Sequence, residues 1–189
     1  MDWLIIGLLG YFGHAISTSI DKVIMNRKHD IYTTSMLKLF IDGIIVLAIG
    51  LLFFDFPTSP KLILWSVLVG FLYAAGNITY YKSLKTKDIG VQVPYVNAAI
   101  TLLIFLTALW FFRESAILSN YLGVLLILVG MYLVLSNRYK LPRIDKGLFL
   151  MTLLVIIVVI QYLVTKQALF QVQPIPLAAT MYFSATIFT

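Results

Sequence analysis

Cysteine is absent from these 189 residues, which excludes disulfides and thiolate metal sites and leaves the compartment open. Charge is scarce as well: 12% of the residues are charged against 61% hydrophobic, and the mean hydropathy is +0.97. A water-soluble globule, whose apolar fraction is nearer half, does not carry that balance. The chain also lacks a glycine-rich phosphate loop, a His/Glu cluster at metal-ligand spacing and a nucleophile elbow. No enzyme chemistry, cofactor or metal is therefore expected, and any transport would not run on ATP hydrolysis by this chain. The N-terminus has neither the basic region nor the small-residue cleavage site of a signal peptide, so its first apolar run is expected to stay as a membrane span.

What is there is a series of long apolar runs with the charges gathered between them. The net charge of +6 collects at the ends of those runs, where membrane topology explains it. Nucleic acid is not an expected partner; a lipid bilayer is. Residues 90–137 read GVQVPYVNAAITLLIFLTALWFFRESAILSNYLGVLLILVGMYLVLSN. The runs 91–112 and 116–135 within them each reach the roughly 20 residues that a helix needs to cross the hydrocarbon core. Only a short turn with Arg113 and Glu114 separates them, which predicts a membrane hairpin. Further spans are expected at 3–20, 35–54, 62–84 and 147–165, and a shorter apolar run occupies 175–189.

The hairpin resembles the end of an EamA-type repeat of the drug/metabolite transporter superfamily. The likeness rests on Pro94 early in the first helix, Asn97 and two alanines after it, an acidic turn at Glu114, and LGVLLILVGMYLV with Gly123 and Gly130. It extends back through AAGNITYYKSLK, while Arg113 stands where the family usually has glycine. The resemblance implies an all-α polytopic membrane protein of two five-helix repeats. A shift of 144 residues places Trp3 on Gly147, Lys22 on Lys166 and Ser35 on Ala179. The expected division is thus a first five-helix repeat at 1–137 and the start of an inverted second repeat at 138–189. The short final run leads to the expectation that the sequence is a fragment of a longer chain.

Lys and Arg concentrate after the first, third and fifth spans: Lys22, Arg27, Lys28, Lys82, Lys85, Lys87, Arg138, Lys140, Arg143 and Lys146. The positive-inside rule puts these in the cytoplasm and the N-terminus outside. The resemblance implies the opposite, an N-terminus inside.

Several polar residues lie within spans, where they are costly and mark either a site or a partnered pair. Lys38 and Asp42, one turn apart, either neutralise each other within the helix or leave Asp42 to bind a cation, a proton or a substrate amine. His14, Ser17 and Asp21 share a face of the first span; His14 reads as an interhelical hydrogen-bonding group or as a proton-coupling one. Tyr73, Asn77, Tyr80 and Tyr81 form a stripe that is either a cavity wall or an interfacial belt. Gln92, Asn97 and Thr101 are expected to face inward, and Gly7, Gly10 and Gly13 to permit close helix approach. By resemblance, the equivalent helices line a central substrate cavity, which adds weight to Asn77, Gln92 and Asn97.

The resemblance implies a secondary transporter of a small organic metabolite in the cell membrane, working by alternating access with ion or proton coupling open. The alternatives are a component of a lipid or lipid-linked-sugar flippase acting with a partner subunit, a homodimer among the arrangements, and a non-transporting membrane scaffold.

Overall fold

The computed structural model describes residues 2–189 apart from 28, 58, 87, 114 and 137–144. Lys28, Lys87, Glu114, Arg138, Lys140 and Arg143 lie outside the described residues. Among the described residues all regular secondary structure is helical: α1 (Asp2–Asn26), α2 (Ile31–Phe53), α3 (Pro60–Leu84), α4 (Ile89–Trp110), α5 (Leu118–Leu135), α6 (Lys146–Leu169) and α7 (Pro174–Phe188). Among the described residues, α2, α3, α4 and α6 are long and apolar enough to cross a membrane on their own. At 18 residues α5 reaches about 27 Å, close to the hydrocarbon thickness.

Local chemistry fixes the ends. The Asp30 carboxylate accepts from the Thr33 backbone N–H at 2.8 Å and from its hydroxyl at 3.0 Å, starting α2. The backbone bond from Thr33, then its hydroxyl, hold Asp30 below its usual carboxylate pKa. Ser59 and Asp145 cap α3 and α6 in the same way. The first helix runs past the expected end at residue 20. Asp21 and Lys22 do not terminate it because each finds a partner: Asp21 the Lys38 ammonium, and Lys22 the Leu84 carbonyl at 2.6 Å.

The layout is centred on α3, which α7, α6, α2, α1 and α4 all touch. Leu62 packs with Leu177, Ser66 bonds to Thr180, and Gly70 meets Ser184, so α3 and α7 run parallel. Gly43 faces Tyr182 and Gly50 faces Ile175, so α2 and α7 run antiparallel. The α4–α5 hairpin forms, with Phe105 edge-on to Tyr121 at 5.7 Å. Its turn spans residues 111–117, longer than expected, and Arg113 there has φ 51°. That is a left-handed conformation, the kind glycine adopts most readily.

One packing expectation fails. Nothing lies within 4 Å of a side chain built at Gly7, Gly10 or Gly13, because residues 7–16 of α1 are exposed. Its large apolar residues, Ile5, Leu8, Leu9 and Phe12, are each more than half exposed, a surface suited to lipid. The glycines that do mediate close approach are Gly43, Gly50 and Gly70, all against α7.

Candidate functional site

Six helices surround a cavity of about 380 Å³. From α1 come His14, Ser17, Thr18 and Asp21; from α2, Lys38 and Asp42; from α3, Tyr73, Gly76, Asn77 and Tyr80. The α4 wall is Gln92, Val93, Val96, Asn97 and Ile100, while α6 gives Leu154, Val158, Gln161 and Tyr162, and α7 gives Tyr182. Asp42 and His14 fall near the middle of their helices, so the cavity sits at mid-depth of the bundle.

Every polar residue discussed as a candidate within the spans lines this cavity except Tyr81 and Thr101. Tyr81 is buried behind it, and Thr101 is exposed and donates to the Asn97 carbonyl of its own helix. His14 is exposed and lines the cavity, and no interhelical hydrogen bond from it is shown among the described residues. The stripe Tyr73, Asn77, Tyr80 is a cavity wall.

Of the two readings of Lys38 and Asp42, the pairing within the helix does not form. The Lys38 ammonium donates to Asp21 Oδ2 at 2.7 Å, with the two side chains 31% and 6% exposed. Tyr81 donates to Asp21 Oδ1 at 3.0 Å and Tyr80 approaches Oδ2 at 3.4 Å. A carboxylate that gathers three donors from two neighbouring helices is stabilised far better than one facing a lysine on its own helix. Asp21 is therefore the residue that sequence reasoning left out of the site. Its place on the His14–Ser17 face was the signal that could have found it.

Next to this network, Asn77 donates to Ser35 at 2.8 Å, and Gln92 donates to Ser83 at 2.6 Å. Gln92 is fully buried, and its Oε1 has no partner. Met25, Tyr81 and Leu84 form a buried cluster at the same end, where Lys85 also donates to the His29 carbonyl. Bonded polar groups and apolar packing together close the cavity toward the end where α1 and α3 finish and α2 and α4 begin. Among the described residues no group of three His, Cys, Asp or Glu is arranged to hold a metal ion.

A model of the EamA-like transporter family matches residues 1–136. Neither a curated protein nor a solved structure matches the chain.

Proposed function

From the premise that this chain belongs to the EamA-like transporter family, we propose that it is a secondary transporter of a small organic metabolite in the cell membrane. The observation that carries this reading is the cavity itself, polar and aromatic, at mid-depth among apolar helices, and closed at one end by the Asp21–Lys38 network. A site at the bilayer midplane with a breakable closure on one side is what alternating access needs.

Two repeats related by inversion supply the rocking halves. The 144-residue shift superimposes the start of α2 on α7, and their antiparallel course supports an inverted relation between 1–137 and 138–189. Ion or proton coupling through the cavity, rather than enzyme chemistry, belongs to the same reading.

A flippase component is the second reading, favoured by one observation: His14 on α1 and Asn97 on α4 line the cavity yet are exposed, so it opens on that side. The test uses proteoliposomes and a panel of labelled amino acids, nucleosides and amines beside a fluorescent phospholipid. Protein-dependent uptake of a panel member, lost when His14, Asp42 and Asn77 are replaced by leucine, is the expected result. Lipid movement without solute uptake selects the flippase. Neither movement, with the leucine variants indistinguishable from the parent, leaves a scaffold.

A further inference from the structure

The polar groups around the cavity divide into those already engaged and those left over. Asp21 is engaged by Lys38, Tyr81 and Tyr80, and the amide groups of Asn77 and Gln92 donate to Ser35 and Ser83. Asp42 has no ion pair and no side-chain hydrogen bond among the described residues, although it lines the same cavity. Lys38 is the only Lys or Arg lining the cavity among the described residues, and its ammonium is turned to Asp21. Besides the His14 imidazole, the cavity thus holds two carboxylates and one ammonium, and the carboxylate left over stands at the middle of a membrane helix. A charge in that position calls for a counter-charge.

The surroundings of Asp42 decide which counter-charge fits. Gly43 beside it has no side chain, and a Cβ there would lie 3.3 Å from Tyr182 Cβ; that close approach brings the α7 tyrosine up to the acid. Tyr182 stacks edge-on with Tyr73, ring centroids 5.3 Å apart at 87°. Both line the cavity together with Asp42 and Tyr162. A hard metal ion needs several oxygen ligands and gains little from phenol rings. A proton needs neither the volume nor the aromatic wall. An organic ammonium uses all of it: the carboxylate takes the charge, tyrosine rings attract the cation by their quadrupoles, and Leu154, Val96 and Val158 face the apolar remainder.

We propose that the cavity binds an organic cation, a primary or quaternary ammonium bearing an apolar group, with its charge on Asp42 and its body among Tyr73, Tyr162 and Tyr182. This assignment rests on the transporter reading of the same cavity and names its substrate class. It also gives Lys38 and Asp21 a defined part. By neutralising each other they leave a single anionic position, so the site holds one positive charge.

Calorimetric titration of the protein in lipid nanodiscs tests it with three probes of one shape: phenethylammonium, 2-phenylethanol and phenylacetate, with benzyltrimethylammonium as a permanent cation. Both cations should bind, the alcohol and the acid at least about tenfold more weakly. Asp42→Asn should erase that preference and Asp42→Glu should keep it. Should the asparagine variant fail to fold, Tyr182→Leu provides the second reading, weakening benzyltrimethylammonium by about threefold. Equal binding of amine and alcohol, preference for phenylacetate, or cation binding indifferent to both variants would overturn the assignment. Flux of the same probes in proteoliposomes separates the two levels. Uptake of a neutral or anionic probe without cation binding keeps the transporter and removes the cation. Asp42-dependent cation binding without flux of any probe keeps the cation and removes the transporter.

Discussion

Asp21 shows how a buried charge is tolerated in this molecule. Its carboxylate is 6% exposed and survives there because an ammonium and two phenols converge on it. Removing one partner of such a pair leaves the other uncompensated, at a cost of several kcal/mol, whereas removing both is often nearly neutral. Lys38→Met is therefore expected to destabilise the protein by about 3 kcal/mol, seen as a lower thermal unfolding midpoint in detergent. The double variant Asp21→Asn/Lys38→Met should recover most of that loss. If the two single effects simply add in the double variant, the pair is not coupled and the network is not what holds this end together. None of this pairing is legible in the chain, because spacing reveals only neighbours on one helix. Lys38 and Asp42 sit one turn apart and invite each other, while the true partner lies across a loop on α1. Arg113 is the converse case. The resemblance flagged it as standing in a glycine's place, and its φ of 51° shows the physical reason glycine is usual there.

Between elements, the ridge Ser66–Gly70–Ala74 on α3 governs how α7 docks. Each residue is four after the last, so all three share one face and let the helices approach closely. A Cβ at Gly70 would come 2.7 Å from Ser184 Cβ and 2.9 Å from the Met181 carbonyl oxygen, and the carbonyl, being backbone, cannot step aside. Gly70→Leu is thus expected to push α7 off α3 and to cost about 3 kcal/mol, the upper end of the usual overpacking range. Gly10→Leu, placed where nothing lies within 4 Å, should leave the thermal midpoint within error. Equal effects at the two sites would refute this account of the α3–α7 contact. The sequence shows the small residues but not the direction they face. Gly7, Gly10 and Gly13 looked as suited to packing as Gly70, and only the arrangement of α7 across α2 and α3 tells them apart. The hydrophobic runs themselves were easy to read, since twenty apolar residues admit little but a membrane helix. Their ends were less so: α1 continues through Asp21 and Lys22 because tertiary partners cancel the cost that charges impose.

For the whole molecule, orientation in the bilayer also decides which side the closed end of the cavity faces. Cavity-lining residues could be picked from the sequence because polar groups within apolar spans must turn inward, which drew attention to His14, Asn77, Gln92 and Asn97. Direction across the membrane is set instead by loop charge, and there the bias of Lys and Arg opposes the habit implied by the family. The structure gathers Lys22, Lys85 and the buried Met25, Tyr81 and Leu84 at one end, the end the charge bias assigns to the cytoplasm. A chain with no cysteine makes the assignment directly measurable, since a single introduced thiol has no background. Lys85 and Asp55 are both exposed and lie in turns at opposite ends of α3. Lys85→Cys should resist an impermeant maleimide in intact cells and react after permeabilisation, while Asp55→Cys should react at once. That result would put the Asp21–Lys38 closure toward the cytoplasm and leave the cavity reachable from outside. The reverse pattern would place the N-terminus inside, as the family resemblance implies, and turn the same closure outward.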